Sequence, residues 1–510
     1  MGATLSVKKF FENDFHSTLY PLKTNLILIR EHHLALEKHI EDIFSKAPQH
    51  ADKSFLAQTR VFAAKPKHHL RRTAILDPVA SYFIYDLTYR NRAVFRPTSI
   101  KNRKSFGYCF AKGIPVSVHA AYQDYSAEAN ASELFYEHWL SFDVSSYFNS
   151  IYHHDATSWF SQLSGIDEKD ADAFGRFFRE INSGRSIDFL PQGIYPTKMI
   201  GSAFLQFVEQ SGQLRSAEVL RFMDDFILFD DNKDVLLHDF MVIQRLLGLR
   251  GLNVNPTKTR FNRSATEVHD AMSEIELQLS EILDEDYNDR SFMASGAELY
   301  DWDNDDEEVK TNSDASRPSL DESQIKRLLK LLSNPAADES DVEAILNLLH
   351  SNTDGLIAHI PTLLARFPNI VKQLHIVAGA ISDKNALTKE ILKFISGNTQ
   401  LIEYQLFWLA VIAEEHLSET RDFGKLLFKL YDRSADHKIA RSKILEIPEQ
   451  RFGLKEIREE ILKSGSSEWL GWASAMGARS MSNRERNHLL GYFAKSSPLN
   501  SLIAECVRGL

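Results

Sequence analysis

An α+β domain followed by an all-α domain of HEAT-like helical repeats is the fold class this sequence predicts, and three observations predict it. Residues 1–265 mix helical periodicity with short β-rich runs bounded by turn residues. Residues 266–322 divide the halves as a linker or loop. From 284 onward they are acidic and poor in large aliphatics, with Asp301-Trp302-Asp303-Asn304-Asp305-Asp306-Glu307-Glu308 at the centre. Residues 323–510 read as short amphipathic helices, with Leu, Ile and Phe at three- and four-residue spacing. A chain of 510 residues is too long for one ordinary core, which agrees with two or three domains.

In the first part, residues 26–43 carry a helical repeat, while 140–144 and 222–229 are β runs, the second broken by Met223-Asp224-Asp225. After Ser316-Arg317-Pro318, helices are expected over 324–333, 339–350, 355–366, 368–382, 386–396, 401–416, 419–432, 454–463 and 483–496. One helix per 15–20 residues, roughly, makes pairs of HEAT size. No sharp internal repeat is visible, so an irregular α-solenoid that binds or scaffolds is the expectation.

The composition, 43% hydrophobic and 25% charged, is that of a globular protein and excludes a mostly disordered chain. No apolar run approaches the roughly 18 residues that span a bilayer. The leading MGATLSVKKFFENDF has neither a long apolar stretch nor a small-residue cleavage site, so a cytoplasmic, unsecreted protein without membrane partners is expected. Met1-Gly2 with Ser6 fits the loose myristoylation pattern, but such matches are common by chance and one acyl chain anchors only marginally. Cys109 and Cys506 offer no disulfide framework and no zinc spacing.

The net charge of −11 hides an asymmetry. Residues 1–265 hold 32 Lys and Arg against 29 Asp and Glu, a net of +3, and the remainder holds 27 against 41, a net of −14. Within 51–120 the count is 13 basic to 3 acidic. That stretch includes Lys65, Lys67, Arg71, Arg72, Arg103 and Lys104, a charge pattern suited to tracking phosphates. Interleaved Tyr82, Tyr85, Tyr89, Phe95, Phe106 and Tyr108 suit base stacking, although such rings commonly serve as core.

Four segments carry the chemistry. Ser141-Phe142-Asp143-Val144 delivers an aspartate at a strand end, with Phe148 five residues later. Leu190-Pro191-Gln192-Gly193 is a loop leading into the helical run 198–210. Arg221-Phe222-Met223-Asp224-Asp225-Phe226 places adjacent carboxylates where a hairpin would turn. Gly251-Leu252-Asn253-Val254-Asn255-Pro256-Thr257-Lys258 puts a lysine just past a short strand. Asp143 and Asp224 on adjacent strand ends are able to share two hard divalent cations through oxygen ligands. Two such ions clamp the attacking and leaving oxygens of an in-line phosphoryl displacement. Without a cation, carboxylates that close repel one another. Lys258 is suited to neutralise a leaving pyrophosphate. Adjacent histidines, as at His153-His154, His32-His33 and His68-His69, are expected to pack rather than ligate together.

Taken in order, these segments resemble the reverse transcriptases. Asp143 matches motif A, Leu190-Pro191-Gln192-Gly193 motif B, Phe222-Met223-Asp224-Asp225 the [YF]-x-D-D box of motif C, and Lys258 motif D. The resemblance covers roughly residues 60–265 and implies a fingers/palm domain over 1–265. It implies that Asp143, Val144, Asp224 and Asp225 hold Mg²⁺, with Mn²⁺ as a possible substitute, and that Lys258 joins the three aspartates as catalytic. Phe148 matches the steric gate that excludes ribonucleotides, so dNTPs are the implied substrates. Gln192 and Gly193 would shape the floor under the nascent pair, Met223 would lie near the primer end, and Arg103 and Lys104 would contact the triphosphate.

A palm followed by an acidic helical array is similar to the bacterial abortive-infection reverse transcriptases, the AbiK type and its prophage-borne relatives. That resemblance implies anti-phage defence, homo-oligomers, a possible phage component, and DNA made without a template from a protein tyrosine. The nascent single-stranded DNA would then be covalently attached. Two other readings stand beside it: a conventional RNA-templated reverse transcriptase, and a non-catalytic scaffold that senses nucleotides. A templated enzyme needs a basic thumb for duplex, which the −14 half does not offer. A silent scaffold has no physical reason to keep repelling carboxylates.

Overall fold

A computed structural model describes residues 6–45, 54–185, 190–262, 320–349, 353–397 and 400–510. The expected acidic linker, apart from its last residues, and the Met1-Gly2 pattern lie outside these residues.

The N-terminal half begins with helix Val7–Asp14, capped by the Ser6 hydroxyl, and helix Lys23–Ser45, kinked at His32. An antiparallel hairpin follows, β1 (Thr59–Ala64) with β2 (Leu70–Ile75). Its turn uses Lys67 and His68 at positive φ. Helix Pro78–Arg90 then starts on an Asp77 cap with proline at its first position, where the missing N–H costs nothing.

The remaining strands are β3 (Ser99–Ile100), β4 (Arg103–Phe106), β5 (Phe110–Ala111), β6 (Ile114–Pro115), β7 (His138–Asp143), β8 (Glu218–Phe222), β9 (Asp225–Asp230) and β10 (Arg260–Phe261). Six of them form one sheet in the order β10-β7-β9-β8-β4-β3, with β5 and β6 pairing separately. Only β4 and β8 run parallel; the other neighbours in this sheet are antiparallel. Helices Val118–Phe135 and Lys233–Gly248 pack on the sheet. All five residues of β8 are buried, Glu218 and Arg221 included.

From Glu322 onward the described chain is helical. Helices pack on their second neighbours and so make two layers. One layer holds Val371–Ala380, Glu403–His416, Lys438–Glu446, Trp469–Gly477 and Pro498–Gly509; the other holds Lys384–Gly397, Phe423–Arg433, Leu454–Ser464 and Asn483–Phe493. Three of these helices, Lys438–Glu446, Trp469–Gly477 and Pro498–Gly509, escape the sequence reading. The first is short, and the second is rich in small residues around two tryptophans. The expected helices over 355–366 and 368–382 each open with a 3₁₀ turn, Asp354–His359 and Pro368–Ile370.

Glu403–His416 is buried continuously from Tyr404 to Ala413 rather than along one stripe, because it lies between its layer neighbours and the N-terminal half. The seam between the halves is polar as well as apolar. Trp408 Nε1 donates to the Leu19 carbonyl (3.1 Å), Lys372 Nζ to the Ser17 carbonyl (2.9 Å), and Trp469 Nε1 to Thr59 Oγ1 (3.0 Å). Buried Glu446 accepts from the backbone N–H groups of Lys23 (2.9 Å) and Thr24 (2.8 Å), satisfying donors that begin helix Lys23–Ser45. Among the described residues no helix is long and apolar enough to cross a membrane.

Candidate active site

Strand register brings the carboxylates together. Asp143 ends β7 and pairs across to Asp225, the first residue of β9. Phe222 pairs with the same Asp225, so Met223 and Asp224 form a two-residue hairpin turn. Met223 holds φ 54°, the positive value that such a turn demands at its first position and that favours glycine. The turn is tied down from both sides. The Val144 N–H donates to the Asp224 carbonyl (3.2 Å), and Arg221 Nη1 donates to the Met223 carbonyl (2.5 Å). Arg221 is itself fully buried, with Nε on Glu209 Oε1 (2.6 Å) and Nη2 on the Ser202 carbonyl (3.0 Å).

These groups open into a cleft of about 870 Å³. Asp143, Val144, Asp224 and Asp225 line one wall, with Lys258 beside them. Lys258 Nζ lies 2.7 Å from Asp143 Oδ2, and the Asn255 N–H donates to the Asp143 carbonyl (2.9 Å), so the 3₁₀ turn Pro256–Lys258 is anchored on the end of β7. Burial raises the Asp224 carboxyl to about 6, with its own backbone N–H opposing the rise and the nearby Asp143 adding to it. Burial and then the Asp224 charge raise Asp225 to about 7. For Lys258, burial works against the charge, but the Asp143 hydrogen bond and charge outweigh it and the ammonium is held more tightly than usual.

Asp143 Oδ1 is buried with no hydrogen-bond partner. An orphaned carboxylate oxygen, beside two carboxyls whose ionisation is suppressed, fits a hard divalent cation better than it fits an apolar core. The donor set is all oxygen, as Mg²⁺ or Mn²⁺ requires.

Phe148 lines the same cleft, buried to 7% exposure and packed edge-on to Tyr147 (5.5 Å). A Cβ at Gly201 would stand 3.4 Å from the Phe148 ring and 3.3 Å from Tyr147, so the glycine lets the helix approach both rings closely. Gln192 and Met223 line the cleft too. Gly193 does not. It sits at φ 107° against Leu19, which a Cβ would meet at 2.8 Å, so its contribution is to seat the loop.

Arg103 and Lys104 require a correction: the structure places both outside this cleft. Arg103 Nη2 donates to the carbonyls of Leu214 (3.2 Å) and Ser216 (2.8 Å). Lys104 pairs with Glu128 and lies 3.5 Å from Glu218. Both sit on β4, where their side chains hold the segment leading into β8 and the helix Val118–Phe135. The basic wall of the cleft comes instead from the β1–β2 hairpin, through Lys65, Arg71 and Arg72. Burial and the neighbouring Arg71 and Lys258 charges lower the Lys65 ammonium. The signal for these residues was the basic run over 51–120, but charge alone did not say which of its members face the carboxylates. Lys198, Tyr108 and Tyr122 complete the lining relevant to ligand binding. His153 is buried, and burial, then the Arg179 and His154 charges, lower its imidazole to about 4, as a packing role entails.

Residues 100–276 match the family model for reverse transcriptase (RNA-dependent DNA polymerase). No curated protein matches the chain. Solved structures with a likeness to it include telomerase from Candida tropicalis in complex with a fragment of telomeric RNA. That comparison has 14% identity over 78% of this chain and 67% of the other, with a TM-score of 0.30. Telomerase from Candida albicans, likewise with telomeric RNA, gives 11% identity over 78% and 70%, with a TM-score of 0.27. At these scores the structural likeness carries no argument. The matched span includes all three aspartates and Lys258 but begins beyond the β1–β2 hairpin.

Proposed function

We propose, starting from the reverse transcriptase domain carried by residues 100–276, that this chain is a divalent-metal-dependent nucleotidyltransferase that polymerises dNTPs in the 870 Å³ cleft. One observation carries the reading: three aspartates meet at adjoining strand ends, with Asp143 Oδ1 unpartnered, opposite a basic wall. Asp143, the Val144 carbonyl, Asp224 and Asp225 would hold two Mg²⁺ ions, which when bound supply charge neutralisation for the attacking hydroxyl and the leaving phosphate. Lys65, Arg71 and Arg72 receive the triphosphate. Phe148 closes the space a ribose 2′-hydroxyl would need, and Met223 supports the primer end. In the reaction the primer hydroxyl gives its proton to solvent as its oxygen bonds to the α-phosphorus, the bond to the pyrophosphate oxygen breaks, and Lys258 neutralises the departing anion. Lys258 must leave Asp143 to do so, which ties its release to cation entry.

The finer reading is that synthesis starts from a tyrosine hydroxyl without a template, within abortive-infection defence and in a homo-oligomer. It rests on the resemblance to the AbiK type and on the −14 charge of the helical half, which we read as a HEAT-like scaffold rather than a duplex-gripping thumb. Tyr108 and Tyr122 are cleft-lining candidates for the primer. The experiment combines nuclease-treated protein, Mg²⁺ and labelled dNTPs, with no added primer or template, on a denaturing gel with and without protease. Label that protease releases from the protein supports the finer reading. Extension only of an added primer on RNA replaces it with templated synthesis. Asp224→Ala with Asp225→Ala should abolish incorporation in either case, and retained synthesis overturns the polymerase assignment.

A further inference from the structure

The seam between the halves holds a second cluster of ligating side chains, far in sequence from the cleft residues and independent of their role. We propose that His375, Glu415 and His416 form a binding site for a divalent transition metal, with Zn²⁺ the fitting ion. The three residues can place one ligand atom each within 4.8 Å of one another. His375 Nε2 already lies 2.7 Å from Glu415 Oε2, and the two imidazole rings stand 4.9 Å apart at 38°. Two nitrogens and one carboxylate oxygen form a three-residue set that zinc accepts, with water in the fourth position.

His416 Nε2 is buried without a hydrogen-bond partner, so this ligand nitrogen is open to an ion. His416 also ends helix Glu403–His416, where the unsatisfied carbonyls favour a cation. The His375 and Glu415 side chains keep 12% and 17% exposure, so the cluster is not sealed from solvent.

Charge around the cluster leans positive, with the Lys384 ammonium also close enough to act on His416. Lys23 Nζ lies 3.2 Å from Glu415 Oε1 and 3.1 Å from Glu414 Oε2, which leaves Glu415 Oε2 for the ion. Lys443 is committed to Glu414 (2.7 Å) and Glu446 (2.8 Å), and Arg479 stands 4.0 Å from Glu414. An entering cation replaces the hydrogen bond between His375 and Glu415, and the proton of that bond must leave the nitrogen and oxygen that take the ion. It also meets the repulsion of Lys23, so affinity is expected below that of a structural zinc finger. The His16 ring stacks on His375 (6.2 Å, 13°), so occupancy would stiffen the contact between the N-terminal segment and the helical half.

The test uses full-length protein carrying Asp224→Asn and Asp225→Asn, which removes the carboxylate site of the cleft from the metal count. Chelator-stripped protein is titrated with Co²⁺ and then Zn²⁺. One equivalent of Co²⁺ with visible absorption of a nitrogen-ligated tetrahedral site, displaced by Zn²⁺, is expected. Adding His375→Ala or His416→Ala should remove that equivalent together with the rise in melting temperature that Zn²⁺ produces. X-ray absorption of the zinc-loaded parent should show two imidazole nitrogens, a readout that needs no further variant to fold. No retained equivalent in the parent, or no imidazole scattering from bound zinc, overturns the site while leaving the polymerase reading untouched.

Discussion

Arg221 shows how much of the site depends on a residue that faces away from it. Its guanidinium holds the Met223 carbonyl and Glu209 in a fully buried pair, and so secures a turn whose positive φ is held by methionine rather than glycine. Holding such a backbone costs about 1–3 kcal/mol, which the surrounding bonds must offset. Replacing Arg221 with Met leaves Glu209 as an uncompensated buried charge. A loss of about 3–5 kcal/mol in urea denaturation is expected, and adding Glu209→Gln should restore part of it. Phe148 lines the cleft instead. Phe148→Ala should admit ribonucleotides and reduce dNTP-over-rNTP discrimination by about tenfold or more, roughly 1.4 kcal/mol, in single-nucleotide incorporation assays. Unchanged discrimination would remove Phe148 as the gate.

Among the elements, the β1–β2 hairpin is the part of the cleft that sequence motifs did not reach. It is tethered to the motif loop where Thr73 Oγ1 donates to the Gln192 carbonyl, and to the helical half where the Lys67 N–H donates to Glu339 Oε1 (2.6 Å). Arg71→Ala should raise the KM for dNTPs by about 10- to 100-fold. Charge-assisted phosphate contacts are worth about 1.5–3 kcal/mol each. Arg103→Ala should leave that KM unchanged, since Arg103 is spent on carbonyls behind the sheet. Two helix starts show a related dependence. Tyr195–Phe204 has no local side-chain cap, and its first N–H is met by Asp14 (2.8 Å). Lys23–Ser45 is met by Glu446. Each cap comes from a distant segment, and the residues just before the two starts, Ile194 and Leu22, have no side-chain oxygen to cap with.

For the molecule as a whole, buried carboxyls set an opposed pH dependence. Burial raises Asp14, Asp77 and Asp224 to about 6, and Asp225 and Glu343 to about 7. These groups bind protons more tightly folded than unfolded, so stability should rise as pH falls from about 7 to about 5. Asp14 alone accounts for up to about 3 kcal/mol of this. Glu414 and Glu415 run the other way. Burial works against their charge, but Lys443 and Lys23 hold Glu414 below the usual carboxylate range, and the His375 hydrogen bond with Lys23 does the same for Glu415. Their contribution is complete above the ordinary glutamate pKa and is lost as pH falls through the depressed values, so the seam should fail only in strong acid. Melting temperatures between pH 3 and 8 check both limbs. Asp14→Asn should flatten the upper limb, and Mg²⁺ should shrink it by keeping Asp224 and Asp225 ionised. A melting temperature constant from pH 7 to 5 would contradict the account.

Local signals in the chain were enough for the strand that ends at Asp143, for the Met223-Asp224 turn, and for most of the C-terminal helices. Period and turn chemistry act over a few residues and survive in any sequence that keeps them. The order of Asp143, Gln192, Asp224 and Lys258 likewise pointed to one chemistry before any geometry was known. Tertiary structure alone decided which basic residues face the carboxylates, because Arg71 and Arg103 carry the same charge and differ only in the element that turns them. It alone decided the buried helix 404–413, the distant caps from Asp14 and Glu446, and the meeting of His16, His375 and Glu415 at the seam. Those features depend on contacts between residues up to hundreds of positions apart, and no periodicity along the chain records such a contact.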